Sequence, residues 1–179
     1  MRRRWSLAEI EAMVEAGILL EDERFELIGG EAVPMSPKGN RHELLKATLI
    51  RYWSKRMPDD LFFVPETTFR VDEDSFLEPD FVFYAKTTGL VNLKPDNVLL
   101  VVEIADSSLG FDLGRKANLY AILGVRELWV IDAVKLETHI HRQPSTERYM
   151  EKRLITPDSA FAPDFAPELS VKLAELELI

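Results

Sequence analysis

The chain contains no cysteine. Disulfides, thiolate zinc sites and cysteine nucleophiles are excluded with it, and the absence agrees with a reducing compartment. No long apolar run is present either. The longest, VLLVV at 98–102, falls far short of the roughly 20 residues a membrane helix needs. A basic opening, MRRRW, is followed by Glu9 and Glu11 rather than by the apolar stretch of a signal peptide. A soluble cytoplasmic protein with no membrane partner is the expectation. Positive charge is the third scarcity: 22 Lys and Arg stand against 31 Asp and Glu, for a net charge of -9. A general nucleic-acid coat is disfavoured, because phosphate binding needs clustered cations. A local basic face is still allowed, and surplus carboxylates suit a divalent-metal site.

What is present is ordinary globular material. At 46% hydrophobic, the 179 residues can build a real core, and the length fits a single domain spanning 1–179. Ser6 with Glu9 forms a capping box before a helical stripe of Leu7, Ile10, Met13 and Val14, while Trp5 and Ile10 fit a hydrophobic staple and Gly17 a stop. Gly29 and Gly30 sit between two short apolar runs, as in a tight hairpin. Residues 40–56 read as a second helix with Leu44, Leu45, Thr48, Leu49 and Tyr52 on its apolar side. LFFVPETTFRV and DFVFYA read as strands parted by a turn at 72–75. NVLLVVEIA reads as a central strand, covered on both faces. DLGRKANLYAILG is a helix, RELWVID a buried strand, KLETHIHRQ and RYMEKRLIT an edge hairpin, and LSVKLAELELI a short closing helix. The strand–helix–strand step across 98–132 predicts a parallel pair with a right-handed crossover. The whole is an α/β (α+β) chain with a mixed sheet flanked by helices.

The chemistry concentrates between Glu78 and Lys116. Asp80 opens an apolar strand, and Glu103 is embedded among Val101, Val102 and Ile104. A carboxylate inside such a run is costly to bury unless paired or bound to metal. Two of them on adjacent strands can share one Mg²⁺ or Mn²⁺, with waters completing the shell. Lys116, near the start of the following helix, can fold back over the strand to orient a water and offset developing charge.

These residues carry a resemblance. FELIGGEAVPMSP, RHE at 41–43, EPD at 78–80, VVEIADSS at 101–108, DLGRKANLYAILGV and ELWVID occur in an order that resembles a large bacterial family of restriction-endonuclease-like proteins in the PD-(D/E)XK nuclease superfamily. The resemblance runs from about Phe25 to Asp132. It implies a restriction-endonuclease-like αβββαβ core and a divalent-metal-dependent endonuclease acting on DNA. The implied catalytic residues are Asp80, Glu103, Lys116 and Glu26, with Asp80 and Glu103 holding Mg²⁺ or Mn²⁺. His42 is an accessory candidate, read otherwise as a surface residue at a helix start. One departure stands out: the superfamily lysine follows the glutamate by two positions, where this chain has Ala105. The resemblance puts the lysine at Lys116 instead.

Arg41, Lys46, Arg51 and Lys55 lie in a locally basic stretch and are candidate phosphate contacts; a solvated helix face is the plainer reading. His139 and His141 share a strand face without an evident third ligand, which favours a solvated edge strand. By analogy with nucleases that cut both strands, a homodimer is expected. The alternative function is a catalytically silent nuclease fold that serves as a binding or assembly module.

Overall fold

The computed structural model describes residues 3–20 and 23–178. Its elements run α1 (Leu7–Glu15), β1 (Phe25–Ile28), β2 (Glu31–Pro34), α2 (Asn40–Ser54), β3 (Leu61–Pro65), β4 (Phe69–Asp72), β5 (Ser75–Leu77), β6 (Phe81–Ala85), β7 (Leu100–Ala105), α3 (Leu109–Phe111), a π-helical turn (Asp112–Lys116), α4 (Ala117–Ile122), β8 (Glu127–Asp132), β9 (Glu137–Pro144) and β10 (Tyr149–Ile155). They gather into two compact units, residues 1–37 with 68–78, and residues 38–67 with 79–179.

In the first unit a four-stranded antiparallel sheet has the order β2-β1-β5-β4. The expected capping box closes α1: Glu9 N donates to Ser6 Oγ at 3.2 Å, and Ser6 N donates to Glu9 Oε2 at 2.9 Å. Ile10, Leu27 and Phe76 form a small core, with Trp5 packed on it. Gly29 and Gly30 make the hairpin turn at φ 56° and 76°. At Gly30 a Cβ would stand 2.8 Å from Arg4 Cβ and 3.0 Å from Trp5 O, so glycine is required by space as well as by backbone angle.

The second unit is built on a six-stranded mixed sheet, β10-β9-β8-β7-β6-β3. The pair β7–β8 is parallel and every other neighbour antiparallel. The order α2, β3, β6, β7, helical crossover, β8 is the αβββαβ arrangement the resemblance implies. All six residues of β7 and all six of β8 are buried, which explains why both are apolar apart from Glu103, Glu127 and Asp132. The core of this sheet centres on Trp53 of α2, whose ring meets Phe81 at 5.2 Å and Phe83 at 5.1 Å, both edge-on.

The structure changes four details of the sequence reading. The run at 61–71 is two strands in two sheets, not one. It breaks at Glu66, which takes φ 51° directly after Pro65. Ser75, read as the end of a turn, and the unassigned residues 76–77 form the strand β5. The closing segment is two 3₁₀ turns, Pro167–Leu169 and Leu173–Glu175, that bury Leu169, Val171 and Leu173. His141 is buried and lies on β9, an interior strand, so the solvated-edge reading of the His pair fails at that residue.

Candidate active site

The register of β6 and β7 decides where the carboxylates fall. Phe81 pairs with Val102, so one step outward Asp80 comes opposite Glu103. Asp80 Oδ2 accepts the Ile104 amide at 2.7 Å, which pins the aspartate across to the neighbouring strand. Both carboxylates are buried, Asp80 at 3% and Glu103 at 4% exposure.

Glu103 is held from the helical crossover. Lys116 Nζ lies 2.7 Å from Glu103 Oε1, and Tyr120 Oη donates to the same oxygen at 2.7 Å. Lys116 and Tyr120 are one helical turn apart, so both project from one face. The π-helical turn Asp112–Lys116 ends at this lysine. Such turns are rare and recur at functional sites. The lysine expected from the helix rather than from position 105 is therefore found beside Glu103, buried with it.

Asp80 is held from α2. His42 Nε2 donates to Asp80 Oδ2 at 3.0 Å, and Lys38 Nζ donates to Asp80 Oδ1 at 2.8 Å. Burial raises the Asp80 pKa, but the bonds and charges of His42 and Lys38 outweigh it, and the net direction is downward. His42 thus departs from the surface reading: it is 5% exposed and faces the site, with Nδ1 3.2 Å from Glu43 Oε1.

Lys46 is likewise corrected. It is buried rather than solvated, and its ammonium bonds Glu43 Oε1 at 2.8 Å and Glu66 Oε1 at 2.9 Å. Lys38 reaches the same Glu66 oxygen at 2.7 Å. Bonding from Lys38 and Lys46, opposed in part by burial, brings the Glu66 pKa down to about 2. Arg41, Arg51 and Lys55 are exposed. Glu26 belongs to the first unit, where it is buried and accepts the Glu78 amide at 3.0 Å.

The reading from sequence missed Glu66 and Tyr120, and it placed Lys38 at the head of the basic stretch 38–56 without its bond to Asp80. Tyr120 had a signal, its spacing of four from Lys116. Glu66 had none, because a glutamate after proline is commonplace.

Two carboxylates with water fit Mg²⁺ or Mn²⁺, which are commonly held by one or two such groups. Asp80 already attracts one cation, the Lys38 ammonium. Among the described residues no group of three His, Cys, Asp or Glu is arranged to hold a metal ion. Asp80 and Glu103 are the carboxylates that would be offered to such an ion.

The comparisons define the class first. A solved structure described as a putative nuclease belonging to DUF820 from Anabaena variabilis aligns over 95% of this chain and 96% of its own, at 15% identity and a TM-score of 0.70. The fold is restriction-endonuclease-like. A second solved structure, the type IIG restriction endonuclease BpuSI, aligns over 64% of this chain and 14% of its own, at 14% identity and a TM-score of 0.40, too low to carry an argument. Residues 9–174 match the model of the Uma2 family, described as putative restriction endonuclease, and the chain belongs to that family. No curated protein matches the chain. Among the described residues, no helix is long and apolar enough to cross a membrane.

Proposed function

We propose that the chain is a divalent-metal-dependent endonuclease that hydrolyses phosphodiester bonds in DNA. The observation that carries this reading is the buried pair Asp80 and Glu103, opposite each other on adjacent strands, with the Lys116 ammonium 2.7 Å from Glu103. Family membership supports it. Asp80 and Glu103 would hold Mg²⁺ or Mn²⁺, which supplies positive charge to the scissile phosphate and lowers the pKa of water. Lys116 positions the attacking water and offsets the negative charge that develops on phosphate oxygens. Tyr120 fixes the Glu103 carboxylate, and His42 fixes Asp80 while holding a proton at Nε2. Glu26 is assigned to holding the Glu78 backbone. Arg41, Arg51 and Lys55 are exposed cations available to the DNA backbone. Cutting both strands calls for two copies of the site, which a homodimer in the cytoplasm supplies; sedimentation with and without duplex DNA tests this.

The central experiment is plasmid cleavage in Mg²⁺ by wild type and Asp80→Asn. Wild type is expected to nick or linearise DNA, and the variant to be inactive while melting as a folded protein. Equal cleavage by both removes Asp80 from the site. No cleavage by wild type, with duplex binding retained, identifies a binding module instead.

A further inference from the structure

We propose that the Lys38 and Lys46 ammonium groups form a seat for one phosphate of the DNA backbone, and that the Glu66 carboxylate fills this seat when DNA is absent. The choice of ligand rests on the nuclease reading; the seat itself rests on geometry. One oxygen, Glu66 Oε1, takes both ammoniums, at 2.7 Å from Lys38 and 2.9 Å from Lys46. An anionic oxygen between two ammonium donors is the arrangement a phosphate oxygen also satisfies.

The three side chains are not equally fixed. The lysine side chains are 14% and 9% exposed, whereas that of Glu66 is 39% exposed. Each lysine also has a second carboxylate, Asp80 for Lys38 at 2.8 Å and Glu43 for Lys46 at 2.8 Å. When Glu66 leaves, both cations stay anchored and neither is stranded. Glu66 itself takes a left-handed backbone angle, φ 51°, which non-glycine residues seldom adopt. Its amide donates to the Asp80 carbonyl at 3.3 Å, so the backbone at the seat is tied to the strand that carries the reacting carboxylate.

Location gives the seat its meaning. Lys38 bonds Glu66 and Asp80 at once, so the anion position lies one ammonium away from Asp80. A phosphate there belongs to the scissile group or its immediate neighbour. In a chain of net charge -9, an internal anion held on these lysines also discourages binding of stray polyanions. DNA must displace Glu66, and a phosphate presented in the right register does so at no net change in charge.

The test is binding of a short fluorescent DNA duplex in EDTA, which prevents cutting, read by anisotropy against salt. Glu66→Gln keeps the shape and removes the charge. Its affinity is expected to rise about tenfold over wild type at low salt. Glu147→Gln, which removes an exposed carboxylate elsewhere, should change affinity by less than about twofold. Adding Lys46→Met to Glu66→Gln should abolish the gain. If Glu66→Gln binds no tighter than Glu147→Gln, or keeps its gain without Lys46, the seat is wrong. If Glu66→Gln binds tighter as described and no form cuts DNA in Mg²⁺, the seat stands and the nuclease reading falls. If wild type cuts and Glu66→Gln binds no tighter, the reverse holds.

Discussion

Single side chains decide whether this fold does chemistry. Asp80 and Glu103 were legible because charge inside an apolar run demands an explanation, and Lys116 because the resemblance pointed past Ala105 to the helix. His42 and Lys46 were misjudged because sequence spacing alone does not say which face of α2 is covered. The buried set is His42, Leu45, Lys46, Leu49 and Trp53, so two polar residues occupy the packed face. They are tolerated there because Asp80, Glu43 and Glu66 supply partners. The sharpest residue-scale prediction concerns Lys116→Met. Cleavage should fall by about two to three orders of magnitude, the loss typical of one preorganised transition-state contact. Calorimetric Mn²⁺ affinity should be unchanged or higher, since a cation beside the carboxylates has gone. Lys116→Arg should recover little, because a planar guanidinium does not replace a compact ammonium. Wild-type cleavage by Lys116→Met would show that another group completes the site.

At the scale of elements, α2 and β9 carry opposite lessons. Trp53 gives α2 its grip: it is 1% exposed and meets four aromatic rings, at 5.1 to 6.5 Å. Trp53→Ala should cost about 3–5 kcal/mol in urea denaturation, as large core truncations do. A cost under about 1 kcal/mol would mean that the sheet does not depend on this helix. On β9, burial pushes the His141 pKa down to about 4, aided by Lys152. The folded value lies below the ordinary 6.5, so neutral His141 is accommodated above pH 6.5 and stability is lost as pH falls from there through 4. Full protonation costs at most about 3 kcal/mol. His141→Phe should therefore flatten the melting-temperature profile between pH 6.5 and 4 while leaving it nearly unchanged at pH 8. An unaltered profile would assign the acid loss to other groups. Strands β7 to β10 were readable from apolar runs and alternation. The break between β3 and β4 was passed over although Pro65 marks it, since a proline inside a run interrupts a strand; only the left-handed angle at Glu66 lacked a signal.

For the molecule as a whole, the balance of charge bears on the proposed substrate. The αβββαβ order was recoverable from the succession of elements, whereas the second sheet was hidden by the short β5. If DNA is the substrate, a chain of net charge -9 should meet it through a local set of contacts. Arg41, Arg51 and Lys55, with one phosphate seated on Lys38 and Lys46, make about four, so log affinity should fall with log salt at a slope of about -4. Titration by anisotropy from low to moderate salt measures this directly. A slope of about -8 or steeper would reveal a broad basic surface and displace the local one.

The π-helical turn before Lys116 bears on how the chain can vary in length. Lys116 and Tyr120 grip one oxygen of Glu103 from successive turns, so the angular position of this helix cannot drift. The turn at Asp112–Lys116 holds one residue more per turn than an α-helix does. That surplus is slack within the helical segment itself, apart from the non-helical residues 106–108 that precede α3. Losing one residue there, such as Gly114, would return the segment to plain α-helix with the grip intact. Gaining one would overfill the turn and pass the extra residue back to 106–108. Deletions and insertions in this stretch are therefore not equivalent: shortening by one is absorbed by the helix, and lengthening by one falls on the loop after β7.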